Sequence, residues 1–172
     1  MKLRKSTIND IDRMVEIALE GKQLLKESGI NQWQVPQYPS RDIFLKDLDN
    51  GIGYVLEDKG KVMGICAIIE GVEETYNHLI SGAWLTNNPY MTIHRGAISQ
   101  DTYGHHTIDY LFEGATELAK SRGLHSLRAD THEDNIRMRK ALERNGFKYC
   151  GEVNLLWGFE KGTKRVVYEK VF

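Results

Sequence analysis

The stretch YMTIHRGAISQDTYGHHTIDYLFEGATELAKSRGLHSLRADTHEDNIRMRKALERNGFKYCG, Tyr90 to Gly151, decides the fold. Tyr90 to Ser99 is rich in apolar and β-branched residues and reads as a strand. After the turn QDTYGHH, Thr107 to Arg122 reads as a helix, with Ile108, Leu111, Phe112, Ala115, Leu118 and Ala119 on one stripe. LHSLRAD is a second strand, and the next helix turns Met138, Ala141 and Leu142 inward before Asn145-Gly146 stops it. Two strands joined through a helix run parallel, with a right-handed crossover. The first turn therefore aims helix amides at the end of a strand. Those amides have no partner inside the helix and carry about half a positive charge, so they suit an anion.

Upstream, Leu3 to Ser6 forms a short strand, and Thr7 with Asp10 resembles a capping box. The helix that follows places Ile11, Met14, Val15, Ala18 and Leu25 on one face and ends at Gly29. Ile30 to Ser40, INQWQVPQYPS, reads as a loop with exposed aromatics, and Ser40 caps a helix that Asn50-Gly51 terminates. Gly53 to Glu57 and Lys61 to Glu70 form a hairpin across Asp58-Lys59-Gly60. Gly71 to Pro89 has mixed character and no assignable period. Downstream, Val153 to Trp157 and Arg165 to Phe172 are expected as a hairpin across Lys161-Gly162. No repeat, low-complexity run or linker divides the chain, so residues 1–172 read as one domain.

The 172 residues are 41% hydrophobic, enough for one core between helices and a sheet. Lys plus Arg number 23 against 24 Asp plus Glu, so no net field draws the chain to nucleic acid or an anionic membrane. No window approaches a bilayer span, and no apolar run follows the charged N-terminus; a cytoplasmic protein is expected. Cys66 and Cys150 lack metal or redox spacing and read as reduced core thiols. Asp130, His105, His106 and His132 are the candidates for a metal site, but adjacent histidines diverge and neither HxH nor HxxxH occurs, so no metal is expected.

The order and spacing of IHRGAIS, QDTYGHHTIDYLFEGATELAKSRG and LHSLRADTHEDNIRMRKALERNGFKYCG resemble the GNAT N-acetyltransferases. The resemblance implies an α/β (α+β mixed) fold: a mostly antiparallel sheet with a central, splayed parallel pair and helices on both faces. It implies acetyl-CoA as co-substrate, with the backbone of Ala97 and Ile98 near the thioester and pantetheine. Tyr103, Gly104, His105, His106, Thr107 and Ile108 would be the pyrophosphate loop, and Asn135 a polar contact to the coenzyme arm. Read from its own position, Asn135 equally suits a first-turn residue satisfying local backbone. Two departures stand out. The loop's usual basic or amide residue is Tyr103, and its small residues are His106 and Ile108. The helical tyrosine that protonates the departing thiolate is replaced by Leu142, which makes Tyr149 the substitute candidate.

Transfer to an amine requires the free base, and deprotonating a lysine-like amine at pH 7 costs about 4 to 5 kcal/mol. His94, in the cleft-lining strand, and His132, at the end of its neighbour, are the candidate general bases, ahead of an acid such as Glu70. Trp33, Gln34 and Tyr38 would overlie the acceptor, a small-molecule amine or a protein amine. The alternative is a catalytically degenerate domain that binds an acyl-CoA or a partner without transfer. A nucleotide-binding protein ranks last, because no GxGxxG or GxxxxGK[ST] loop is present. The terminal VVYEKVF either closes the sheet or offers an edge through which a homodimer would form.

Overall fold

In the computed structural model, which describes residues 1–172, one pair of neighbouring strands breaks an otherwise antiparallel sheet. The strands are β1 (Lys2–Lys5), β2 (Gly53–Asp58), β3 (Lys61–Glu70), β4 (Leu79–Gly82), β5 (Met91–Ile98), β6 (Ser126–Thr131), β7 (Lys148–Asn154) and β8 (Lys164–Val171). They are ordered β1-β2-β3-β5-β6-β8-β7-β4. The parallel pair is β5 and β6, matched only at Met91 with Leu127, Thr92 with Arg128 and Ile93 with Ala129. Past Ile93 the two strands part, and β5 keeps pairing only with β3. The mixed, centrally splayed sheet expected from the sequence is the one observed.

The helices are α1 (Ile11–Glu27), α2 (Arg41–Asp49), α3 (Thr107–Ser121) and α4 (Ile136–Arg144). Ile11, Met14, Ile17 and Ala18 of α1 and Phe44 of α2 pack with Val55, Ile65 and Ala97 on one face of the sheet. Ile108, Leu111, Phe112, Ala115 and Ala119 of α3 pack with Leu56, Ile68, Met91, Ile93 and Leu127 on the other. Ile93 and Ala97 are four residues apart, so a regular strand would put both on one face. They lie on opposite faces because β5 bulges: Arg95 and Gly96 stand against the single residue Cys66 of β3. Arg95 takes a left-handed φ of 54°, which a non-glycine residue holds only when its surroundings over-determine it.

The segment Gly71 to Pro89, without a readable period, contains a 3₁₀ turn at Glu74–Asn77 and the edge strand β4. β4 lies against β7, and the approach is close. A Cβ on Gly151, whose φ is 141°, would sit 2.0 Å from the Ser81 carbonyl oxygen. The terminal hairpin differs from expectation. β7 begins at Lys148 and ends at Asn154, and Leu155 to Thr163 is a loop with left-handed glycines at Gly158 and Gly162. β8 lies between β6 and β7, so VVYEKVF has no free edge for pairing two copies; the edges are β1 and β4. Cys66 and Cys150 are buried free thiols. No helix is long and apolar enough to cross a membrane.

Gly151→Ala is expected to destabilise the fold by about 2 to 4 kcal/mol in denaturant titration, because the new methyl meets backbone that cannot yield. A loss below about 0.5 kcal/mol would contradict the β4–β7 contact as described.

Candidate active site

The bulge and the splay together open a cavity of about 830 Å³ between the sheet and both helical layers. Ile98, Tyr103, Gly104 and Ile108 line one end, and Glu73, Tyr76, His94 and Asp130 line the other. Arg95 holds the bulge. Its Nε and Nη2 donate to Asp47 Oδ2 and Oδ1 at 3.0 and 2.7 Å, a forked pair with both side chains mostly buried.

At the turn end, Ser99 caps the 3₁₀ turn Gln100–Thr102 and accepts from Arg13 Nη2 at 2.7 Å. Glu20 Oε2 accepts the Gln100 amide at 2.7 Å, which ties the turn to α1. Within the turn, Tyr103 and His105 donate their amides to Gln100 and Thr102. The amides of Gly104, His106, Thr107 and Ile108 donate to no protein acceptor. Thr107 Oγ1 is buried and also without a partner. A buried unpartnered hydroxyl and open amides at the start of a fifteen-residue helix suit an anionic ligand. His106 is the N-cap of α3 in the left-handed region, at φ 55°, where a glycine would carry no steric cost. Its ring is solvent-exposed, 3.8 Å from Asp109, and His105 is exposed too, so neither ring lines the cavity. Ile108 instead joins the core beneath α3. Arg137 of α4 also lines the cavity, exposed and free of any ion pair, and its charge acts on the Tyr103 hydroxyl.

Asn135 is the N-cap of α4. Its Oδ1 accepts the Met138 amide at 3.2 Å and its Nδ2 donates to Gln32 Oε1 at 3.2 Å, so the side chain caps the helix and also borders the cavity. Leu142 is buried in the core yet borders the cavity.

At the other end, His94 Nε2 lies 3.1 Å from Glu73 Oε2, and His94 Nδ1 lies 4.0 Å from Asp130 Oδ1. The hydrogen bond from His94 holds the Glu73 carboxyl below its usual range despite burial. Ionised, Glu73 can only accept, so Nε2 carries the hydrogen of this pair, and Nδ1 faces Asp130. Asp130 Oδ1 also accepts from the Tyr76 hydroxyl at 2.7 Å. Burial first, and Asp130 second, push the Tyr76 phenol well above its usual value, so it remains protonated. Above them, Tyr38 and Phe159 stack with centroids 5.7 Å apart, and Trp33 meets Tyr38 edge-on.

The other residues expected at the site lie elsewhere. His132 does not line the cavity; it sits in the turn beyond β6, where its Nδ1 accepts the Asp134 amide at 3.2 Å. Tyr149 is 49% exposed on β7, two strands from the splay, with its ring edge-on to Tyr168. Gln34 donates to the carbonyls of Lys22 and Gln32, so it braces its loop and Gln32 faces the cavity in its place. Glu70 pairs with Arg122 at the surface. Glu73, Tyr76, Trp157, Phe159, Glu160 and Arg165 reach the cavity without having been singled out in the sequence. Glu73 and Tyr76 come from the segment with no period, and the rest from the terminal hairpin.

A mixed sheet splayed at its parallel pair, with a capped turn and helix at the opening, is the architecture of acetyltransferases. The chain belongs to the GNAT acetyltransferase family, whose model matches residues 18–147. It is similar to a GNAT acetyltransferase structure from Streptococcus agalactiae, with 31% identity over 99% of this chain and 95% of that one, at a TM-score of 0.88. A GNAT acetyltransferase from Listeria monocytogenes shares the fold at 20% identity, TM-score 0.71, over 99% and 94% of the two chains. A ribosomal-protein-alanine N-acetyltransferase from Brucella melitensis does so at 17% identity, TM-score 0.69, over the whole of both. No curated protein matches the chain.

Asp47→Ala would leave the Arg95 guanidinium buried and unpaired, and is expected to cost about 3 to 5 kcal/mol in chemical denaturation. A cost under about 1 kcal/mol would show that the bulge does not depend on this pair.

Proposed function

We propose that the protein transfers the acetyl group of acetyl-CoA directly to an amine held between His94 and Asp130. The observation that carries this reading is the single cavity joining the amide-lined turn at Gly104 to Ile108 with the His94–Glu73 pair. Family members use acetyl-CoA as acyl donor. The residues present fit it: the open amides and the orphaned Thr107 hydroxyl suit its diphosphate, and the gap beyond Ile93 and Ala129 accepts an extended arm. Arg137 supplies beside the turn the positive charge that Tyr103 does not. Bound there, acetyl-CoA supplies an activated thioester to the acceptor end.

The chain's own residues then do three things. Asp130 attracts a substrate ammonium, and His94 Nδ1 takes a proton from it, with the imidazolium stabilised by Glu73. The β5 backbone at Ala97 and Ile98 borders the opening at the splay and offers polar groups where negative charge develops on the acyl oxygen. Leu142, at the position where the family resemblance implies a proton-donating tyrosine, borders the cavity and would give the departing sulfur no proton. A thiol of pKa about 8.5 leaves readily as thiolate near neutral pH, so transfer does not demand a strong acid. Leu142 is nonetheless the observation that favours the alternative, a domain that binds acyl-CoA without transfer.

Two substitutions separate these readings. His94→Ala should lower kcat for amine acetylation about 100-fold or more between pH 6 and 9, with acetyl-CoA affinity kept. Wild-type rates across that range would remove His94 from the chemistry. Arg137→Ala, at an exposed and unpaired position, should weaken acetyl-CoA binding about tenfold in calorimetry with the unfolding midpoint unchanged. An unaltered dissociation constant would remove Arg137 from the coenzyme site.

A further inference from the structure

The acceptor end of the cavity is roofed. Glu160 Oε1, from the loop between β7 and β8, accepts the Trp33 amide at 2.6 Å, from the loop between α1 and α2. Phe159 stacks on Tyr38 across the same junction. Lys22 Nζ secures the second loop by donating to the Val35 and Tyr38 carbonyls at 2.6 and 2.9 Å. The two loops that flank the acceptor are thus joined to each other. An acceptor enters a closed-over pocket, and a polypeptide cannot lie across it as in an open groove.

The charges inside set the second constraint. Asp47 is matched by Arg95. Arg165, 1% exposed, is engaged on every side: its Nη1 donates to Thr163 Oγ1 and the Lys164 carbonyl, both at 2.9 Å. Its Nε stands 3.8 Å from Asp130 Oδ2, and its Nη2 contacts Glu160 Oε2 at 2.9 Å, off the hydrogen-bond line. One guanidinium therefore faces two carboxylates, and Glu73, bonded to His94, adds a third. Carboxylates outnumber guanidinium groups at this end, where each guanidinium already has a carboxylate partner, and the unpaired Arg137 lies at the turn end. Its mouth is apolar, formed by Leu155, Trp157, Phe159 and Ile43. Trp157 and Phe159 are more than half exposed there, so an apolar or aromatic body meets aromatic faces on entering.

We infer that the acceptor is a small free primary amine on an aromatic or aliphatic body, carrying no carboxylate. The inference rests on the transferase reading above. The ammonium sits toward Asp130 and His94, and the body fills the space beneath Trp33, Tyr38 and Phe159. In the transfer, the amine nitrogen bonds to the acetyl carbon as the carbon–sulfur bond breaks. The ammonium gives one proton to His94 Nδ1 before attack, and the second proton lost on forming the amide passes to the departing sulfur, so that coenzyme A leaves as its thiol, or to solvent, so that it leaves as thiolate.

The test measures kcat/KM by thiol release with 2-phenylethylamine, L-phenylalanine and a tripeptide amide beginning with phenylalanine, with acetyl-CoA binding followed separately by calorimetry. Phenylethylamine should exceed each of the others by at least ~10-fold, since like-charge placement and the roof act against them. Phe159→Ala should raise KM for phenylethylamine at least ~5-fold and leave KM for acetyl-CoA unchanged. Phenylalanine or the peptide matching phenylethylamine would overturn the inference while leaving the transferase reading intact. Acetyl-CoA binding without acetylation of any amine would overturn the transferase reading, and the inference with it.

Discussion

The bulge at Arg95-Gly96 is the constraint on which the rest of the molecule depends. It breaks the alternation of β5, so that Ile93 faces α3 while Ala97 faces α1. It coincides with the parting of β5 from β6 two residues after their last match. A left-handed arginine is not a conformation the backbone adopts for its own sake; it persists because Asp47 of α2 grips both sides of the guanidinium. Buried ion pairs add little net stability, because desolvation offsets most of the attraction. This pair is better understood as selecting a geometry: it fixes α2 against the bulge and keeps the cavity open.

The two ends of that cavity carry opposite character for separable reasons. Helix geometry makes the turn end positive, through amides at Gly104 to Ile108 that have nothing inside the protein to donate to. Side chains make the acceptor end negative, because Glu73, Asp130 and Glu160 outnumber the guanidinium of Arg165. One space thereby offers an anion and a cation different ends, the charge separation that the proposed transfer requires.

Local pattern carried the helices and the parallel unit, because amphipathic spacing and caps are written within a few residues of each other. The Thr7–Asp10 box, the α3 stripe and the Asn145-Gly146 stop all lie where the sequence places them. The acceptor site was mostly illegible. Glu73 and Tyr76 lie on a segment whose shape comes from β4 docking on β7, a contact between glycines distant in sequence. Phe159 and Glu160 were hidden because a hairpin pattern does not show that its connection folds over another loop. Of the candidates named from the sequence, His94 lines the cavity, as its place in a central strand suggested, whereas His132 and Tyr149 lie off it. At His106 and Ile108 the motif comparison registered two bulky residues as obstacles. The left-handed cap turns the His106 ring out of the cavity, and Ile108, packed into the core beneath α3, contributes to the cavity wall.

The most direct test of the central claim, that the splay beside the bulge receives acetyl-CoA, is backbone amide mapping by NMR during titration with acetyl-CoA. The account predicts saturable shifts concentrated at Gly96 to Ile98 and Gly104 to Ile108, with β1 and β4 unmoved. Saturation with those amides unshifted, or shifts centred on the β4 edge, would contradict it.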